Sequence, residues 1–155
     1  MQTWGNEPKA LWDSLQRTPG RFALIVGDLP HSTLDFLSSQ WDTPITNAGH
    51  LLTVADENGW KTPEDSLRGS RLLTGFDVLF WPTVMVDPLR LLRTLAAHQP
   101  VVAEWPGRIA DGRATYSSPG RPDYYDNPIP KGIVVLHPLT ATFPDELPYQ
   151  VERIS

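Results

Sequence analysis

The chain has no cysteine, and this absence excludes several chemistries at once. Disulfide bonds, thiolate nucleophiles and zinc sites with cysteine ligands all require cysteine. Long hydrophobic runs are also absent, because no stretch approaches the ~18 apolar residues that a membrane-spanning helix needs. The first ten residues show no basic-then-apolar signal pattern. We therefore expect a cytoplasmic protein that does not associate with membranes.

Positive charge is scarce as well: 13 lysines and arginines stand against 18 acidic residues, for a net charge of −5. An acidic chain does not attract nucleic acid through its overall field, although a local basic patch remains conceivable. The four histidines do not have the spacing of a metal site, so no metal site is predicted. The hydrophobic content of 40% over 155 residues is typical of one globular domain, and we expect a single domain over residues 1–155.

The most informative stretch runs from Phe76 to Gly107. An apolar run, Phe76 to Phe80, is followed by a helical pattern and by a second apolar run, Val101 to Glu104. Asp87 is a good helix cap, and Pro88 suits the first turn because its fixed φ is already helical. The separation of the two runs is typical of a crossover rather than a hairpin. We predict a right-handed βαβ unit with both strands in a parallel sheet.

Apolar periodicity and turn residues predict the remaining elements. In chain order these are a helix from Pro8 to Arg17, a strand from Phe22 to Val26, a helix capped by Ser32 with Asp35, a strand from Ile45 to Asn47, helices from Gly49 to Asn58 (with Gly59 as C-cap) and from Thr62 to Leu73, a hairpin from Arg108 to Tyr116, a loop over 117–131, and a strand from Ile133 to Leu136. The tail after residue 139 is too aperiodic to assign. The predicted fold is an α/β domain of three layers, similar to P-loop NTPases, with a mostly parallel sheet and a small β-hairpin insertion.

A nucleotide site is one hypothesis for the loop from Gly27 to Thr33. Strand, glycine-led loop and helix is the layout in which phosphates bind at a helix N-terminus. Gly27 could open such a loop, and Ser32 or Thr33 could supply a hydroxyl to Mg²⁺. The lysine of a P-loop is missing, however, and Asp28 places a negative charge where a phosphate would lie. Binding of ATP or GTP with Mg²⁺ is therefore the alternative, and the favoured interpretation is a capped helix without a cofactor or catalytic residues.

The second candidate site is rich in aromatic residues and arginine. Its proposed partner-binding residues are Trp105, Arg113, Tyr116, Arg121, Tyr124 and Tyr125. Such residues dominate the binding energy of protein–protein interfaces, but they also stack on nucleic-acid bases or simply pack. The acidic chain favours a protein partner over nucleic acid.

A family resemblance lies between Thr74 and Tyr124. The residues that carry it are Asp87-Pro88-Leu89-Arg90-Leu91-Leu92, Val101-Val102-Ala103, Trp105-Pro106-Gly107, Asp111-Gly112-Arg113, Thr115-Tyr116, Pro119-Gly120, Pro122 and Tyr124. In order and spacing this set resembles BrxF, the small P-loop-fold protein of type 3 BREX bacteriophage-exclusion systems. The family's first loop carries glycine and lysine, and an Asp-Asn pair stands where this chain has Thr74-Gly75.

The resemblance implies a phage-defence role in a bacterial cytoplasm and does not extend ATPase activity to this chain. We therefore expect a non-catalytic accessory subunit that contacts other proteins of a defence system. A small divergent NTPase is the first alternative and a nucleic-acid adaptor the second. Homo-oligomer formation stays open.

Overall fold

The computed structural model describes residues 2–3, 7–17, 21–27, 31–57, 63–84, 86–97, 99–138 and 148–154. The strands are β1 (Gln2–Thr3), β2 (Ala23–Val26), β3 (Ile45–Asn47), β4 (Leu72–Thr74), β5 (Val102–Trp105), β6 (Arg108–Ala110), β7 (Arg113–Tyr116), β8 (Tyr125–Pro128), β9 (Val134–Pro138) and β10 (Pro148–Arg153). The α-helices are α1 (Glu7–Gln16), α2 (His31–Trp41), α3 (Ala48–Glu57), α4 (Pro63–Leu67) and α5 (Pro88–Leu95). Two 3₁₀ helices cover Phe76–Phe80 and Pro82–Val84.

The main sheet has the order β1-β10-β9-β2-β5-β4-β3. The five strands from β9 to β3 are all parallel, which confirms the mostly parallel sheet, and β10 and β1 extend it in antiparallel pairing. Strand β2 lies at the centre of the seven-stranded sheet, and its first three residues have no exposed surface. A short strand that is buried on both faces reads as a continuous apolar run, which is why the sequence located it.

Helices cover both faces of the main sheet. On one face, Ala23 and Ile25 of β2 pack in a cluster with α1 and α2, where the rings of Trp12 and Trp41 stack at 5.0 Å between centroids. On the other face, Leu24 packs in a second cluster that includes residues of α4 and α5. The alternation along β2 thus separates two hydrophobic cores, one on each side of the sheet. The α/β architecture in layers agrees with the prediction from the sequence.

The βαβ unit is present, but the predicted first strand is wrong. Its first strand is β4, which is the parallel neighbour of β5, whereas Phe76–Phe80 forms a 3₁₀ helix. Gly75 has a φ of 67° and turns the chain away from the sheet. Phe76, Leu79 and Phe80 are buried and Asp77 is exposed, a spacing that suits a helical turn better than a strand.

The start of α5 matches the prediction. The carboxylate of Asp87 accepts hydrogen bonds from the backbone N–H groups of Leu89, at 3.0 Å, and Arg90, at 3.4 Å. These bonds satisfy two donors that have no partner inside the helix. Pro88 occupies the first turn, where its missing N–H costs nothing. Asp87 is thus the helix cap.

Three other predictions need correction, and the unassigned tail gains a strand. Helix α4 ends at Leu67, so it does not continue to Leu73. Helix α2 begins at His31, one residue before the predicted cap Ser32. The predicted 117–131 loop contains β8, and the unassigned tail contains β10. Both strands contain more polar residues than most strands do. They form because β8 pairs with β7 and β10 pairs with β9, and strand propensity alone does not reveal such pairing. Gly59 lies outside the described residues.

No helix of the described ranges combines the length and the apolar character that crossing a membrane requires.

Candidate functional site: a small sheet on the carboxyl end of the parallel strands

A second sheet, with the order β6-β7-β8, is inserted in the chain between β5 and β9. Strands β6 and β7 form the predicted hairpin, with Ala110 opposite Arg113 across a two-residue turn. Both turn residues, Asp111 and Gly112, have positive φ values of 54° and 72°. This is the geometry of the tight turns whose twist suits a hairpin, and it explains why Asp-Gly was a reliable signal. We refer to this unit as the hairpin sheet.

The hairpin sheet folds back onto the strand from which it emerges. Trp105, the last residue of β5, has no exposed surface, and its indole N–H donates a hydrogen bond of 3.1 Å to the carbonyl oxygen of Thr115. At Gly107 a Cβ atom would lie 1.8 Å from the same oxygen. Since no side chain fits at that distance, the close approach of the two chain segments depends on glycine at this position.

An aromatic cluster of Phe80, Trp105, Tyr116 and Tyr125 joins the hairpin sheet to the core. Phe80 lies at its centre: its ring stacks on Tyr116 at 4.1 Å and meets Trp105 and Tyr125 edge-on at 5.3 and 5.4 Å between centroids. Such contacts contribute about 0.5–1.5 kcal/mol per pair beyond the burial of area. The sheet is therefore held by packing on the 3₁₀ helix as well as by its own pairing.

The hydroxyl of Tyr125 adds a polar contact to this attachment. It donates a hydrogen bond of 2.5 Å to Oδ1 of Asp87, the same oxygen that caps α5. Burial, followed by this hydrogen bond and the charge of Asp87, raises the pKa of Tyr125. The hydroxyl consequently stays protonated and donating throughout the neutral range.

An open groove of about 590 Å³ lies along the hairpin sheet. This volume falls within the range of roughly 300–1,000 Å³ that ligand sites occupy. Its walls include Pro106, Arg108, Thr115, Tyr116, Pro119 and Tyr124, with two serines between them. Tyr124 is 39% exposed.

Ion pairs hold two of the arginines beside the groove. Arg113 is 2.8 Å from Asp126, and Arg121 is 3.6 Å from Asp123. Ser117 donates a 2.7 Å hydrogen bond to Asp123, and this bond is the main reason that the pKa of Asp123 is lowered. All these groups are at least partly exposed, so each pair contributes little stability.

Negative charges also lie near Tyr116. Its pKa is raised first by burial and then by the carboxylates of Asp77 and Asp123, while Arg121 opposes them. The groove is therefore bordered by both signs of charge, which is uncommon for a surface that binds a polyanion.

The structure brings together five of the six proposed partner-binding residues, Arg113, Tyr116, Arg121, Tyr124 and Tyr125, on the hairpin sheet and its loop. Tyr125 is only partly exposed, and the sixth residue, Trp105, lies wholly in the core, where it offers no surface to a partner. Sequence reasoning missed Trp81, which is 52% exposed and directly follows Phe80 of the aromatic cluster. An exposed tryptophan after an apolar run carries no distinguishing signal in the sequence.

The other candidate, the loop after β2, is described only in part. Gly27 directly follows the central strand with a φ of 97°, and its N–H donates a 3.0 Å hydrogen bond to the carbonyl oxygen of Trp105. Residues 28–30 and the side chains of Ser32 and Thr33 lie outside the described part, so the proposed nucleotide contacts stay predictions. Gly27 is the first of the three proposed nucleotide-binding residues, and it lies at the carboxyl end of the parallel strands, where open α/β sheets bind ligands.

Glu104 is the residue at this edge that sequence reasoning overlooked. It stands opposite Ile25 of β2, is 9% exposed, and accepts a 3.3 Å hydrogen bond from the hydroxyl of Thr74 at the end of β4. The signal in the sequence was an acidic residue inside the apolar run Val101 to Trp105. Burial of a carboxylate costs free energy, so a buried carboxylate points to a structural or functional role. Among the described residues, no three acidic or histidine side chains gather as a metal site.

Comparison with models of protein families, with curated proteins and with solved structures finds no match to this chain.

Proposed function

We propose that this protein is a non-catalytic accessory subunit of a bacterial phage-defence complex and acts in the cytoplasm through protein–protein contacts made by the hairpin sheet. The observation that carries the proposal is the attachment of this sheet: a tight Asp111-Gly112 turn, the aromatic cluster and the Tyr125–Asp87 hydrogen bond hold an exposed groove in one geometry. Because a surface that is already ordered loses little entropy on docking, such a surface favours binding.

The charges beside the groove favour a protein partner over nucleic acid. Arg113 and Arg121 each form an ion pair with an aspartate. The carboxylates of Asp77 and Asp123 lie near enough to Tyr116 to raise its pKa. A phosphate backbone would meet these carboxylates at short range, and nucleic-acid affinity depends on an excess of cations. Protein interfaces, in contrast, combine aromatic anchors with charges of both signs.

The phage-defence context rests on the resemblance to BrxF. What supports it is that the residues of that resemblance form one connected region, which comprises the Asp87 cap, β5 and the hairpin sheet. A P-loop-like fold is part of the same proposal. Its support is the parallel sheet with Gly27 after the central strand and α2 as the next helix.

Site-specific photo-crosslinking tests the proposed function. A photoreactive phenylalanine analogue replaces Tyr124 in cells that carry the neighbouring defence genes, and the same analogue at the exposed Arg93 of α5 is the control. We expect a crosslink to one defence protein from position 124 only. Tyr124→Ala should then weaken that complex by about 2 kcal/mol or more, as at a hot spot, with an unchanged melting temperature. Equal crosslinking from both positions, or none, would contradict the proposal.

A nucleotide-binding enzyme is the second candidate, and Glu104 is the observation that favours it. A buried carboxylate beside the strand that leads to Gly27 is suited to hold Mg²⁺ or orient a water molecule. The missing lysine opposes hydrolysis, so we expect no phosphate release from ATP or GTP with Mg²⁺. Turnover of roughly 1 per second or more that is lost in Glu104→Gln and Thr33→Ala would establish the enzyme instead.

A further inference from the structure

One charge on the groove wall has no counterpart among the described residues. Arg108, the first residue of β6, is exposed and is the only charged side chain of the described part of the chain that lines the groove. Arg113 and Arg121 are each paired with an aspartate, whereas Arg108 forms no ion pair within the ranges that the structure describes. An unpaired guanidinium presents a fork of donors that fits a carboxylate with two parallel hydrogen bonds.

The walls beside Arg108 combine aromatic and proline rings with the polar side chains of Thr115, Ser117 and Ser118. Tyr116 is fixed by its stack on Phe80, Tyr124 presents part of its ring to solvent, and Pro106 and Pro119 flank them. Surfaces of aromatic and proline side chains of this kind accept extended peptide segments, whose apolar or proline side chains lie against the rings. The groove volume of about 590 Å³ is sufficient for a few residues and too small for a folded domain.

We propose that the groove binds an extended segment of a partner protein that carries a single acidic residue, with its Asp or Glu carboxylate on the Arg108 guanidinium and the adjacent apolar or proline side chain between Tyr116 and Tyr124. This inference rests on the proposed function, since it names the part of the partner that docks. Charge complementarity selects the carboxylate. Asp77 and Asp123, whose carboxylates lie near Tyr116, disfavour any further negative charge along the same wall, whether phosphate or carboxylate.

A displayed library of random twelve-residue peptides, selected on the full-length chain, supplies the probe. We expect the enriched peptides to share an Asp or Glu next to a proline, aromatic or aliphatic residue. One such peptide, synthesised with a fluorophore, is then titrated against the variants by fluorescence anisotropy. Arg108→Glu and Tyr124→Ala should each raise its Kd at least tenfold, while thermal melts show that both variants remain folded.

The matched control is Arg90→Glu, which makes the same charge change on the exposed side of α5 and suits the first turn of that helix. It should leave the Kd unchanged. The decisive result is rescue: replacing the acidic residue of the peptide by lysine should abolish binding to the wild type and restore binding to Arg108→Glu. The lysine peptide should not bind Arg90→Glu, because a general field effect would restore binding to both charge-reversed variants, whereas a direct contact restores it only to Arg108→Glu.

Other results would overturn the inference. They are an absence of enriched peptides, enrichment of basic peptides, or a Kd that Arg108→Glu leaves unchanged. A twelve-nucleotide oligothymidine whose binding depends on Arg108 would assign the groove to nucleic acid, and a dimer that Arg108→Glu dissociates would assign it to a second copy of the chain. If the Tyr124 crosslink persists while peptide selection fails, the protein-binding function stands and only the acidic-segment inference is lost.

Discussion

The hydrogen bond between Tyr125 and Asp87 should couple the hairpin sheet energetically to α5. Asp87→Ala removes the helix cap, at about 1 kcal/mol, and also the acceptor of the Tyr125 hydroxyl, at about 1 kcal/mol for a partly exposed group. We therefore expect a loss of about 2 kcal/mol in the free energy of unfolding. Tyr125→Phe keeps the ring in the aromatic cluster and removes only the hydroxyl, so its cost should be about 1 kcal/mol.

The double variant is the critical measurement. Once Asp87 is alanine, the hydroxyl has lost its acceptor, so adding Tyr125→Phe should cost almost nothing more. The interaction energy from the cycle is then about 1 kcal/mol. Urea denaturation of the four proteins measures it, and thermal melts should show shifts of about 2–4 °C per kcal/mol for a chain of this size.

Tyr124→Phe is the matched control for this cycle. Its hydroxyl donates a hydrogen bond of 3.3 Å to Asp126 at an exposed position, so its removal should change stability by less than about 0.5 kcal/mol. Strictly additive effects of Asp87→Ala and Tyr125→Phe would refute the coupling. The Tyr125–Asp87 hydrogen bond would then contribute nothing to the attachment of the hairpin sheet.

Other predictions concern pH and the glycine contact. The folded-state pKa of Tyr125 is raised above its ordinary value of 10.0. Its contribution to stability is therefore complete below pH 10 and declines as the pH rises above it, so Tyr125→Phe should flatten the alkaline loss of melting temperature. Gly107→Ala should destabilise the protein by more than about 2 kcal/mol, because its Cβ would overlap the Thr115 carbonyl oxygen. Gly49 lies in helix α3, and a Cβ atom there would lie 3.4 Å from its nearest neighbour, which is an ordinary contact. Gly49→Ala should therefore be neutral or stabilising. Equal melting temperatures of the two alanine variants would contradict the steric argument.

Local signals in the sequence predicted local structure well. The Asp87-Pro88 start of α5, the Asp111-Gly112 turn and the apolar run of β2 each depend on residues close in the chain, and each is confirmed. Strand β3 was also placed correctly at Ile45–Asn47. In these cases backbone preference and burial pattern point to the same structure.

Elements that depend on distant partners were missed. Strand β8 owes its conformation to β7, and β10 owes its conformation to β9. Neither could be read from the sequence, because Asp126, Asn127 and Pro128 in β8 and Pro148 and Glu152 in β10 have low strand propensity. The run Phe76–Phe80 was apolar enough for a strand, but Gly75 and the exposed Asp77 make it a helical turn.

The candidate site was located by composition rather than by geometry. Aromatic and arginine content identified the hairpin sheet, but it could not separate Trp105, which is buried, from Tyr124, which is exposed. It also could not reveal that Arg108, on the groove wall, has no ion-pair partner in the part of the chain that the structure describes, because ion pairs between strands depend on register. The acidic residue of β5, Glu104, was visible in the sequence. Only the pairing of β5 with β2 shows that it lies beside the strand that leads to Gly27.

The alternation of side chains along the hairpin sheet has a consequence for how this surface can evolve. In β6, Ile109 packs in the core while Arg108 and Ala110 face outwards, and in β7, Ala114 is buried while Arg113 is exposed. Since neighbouring residues of a strand belong to opposite faces, outward positions can be exchanged without altering the inward ones. Substitutions at the outward positions, every second residue, can therefore change which partner this surface binds, while the fold constrains Ile109 and Ala114.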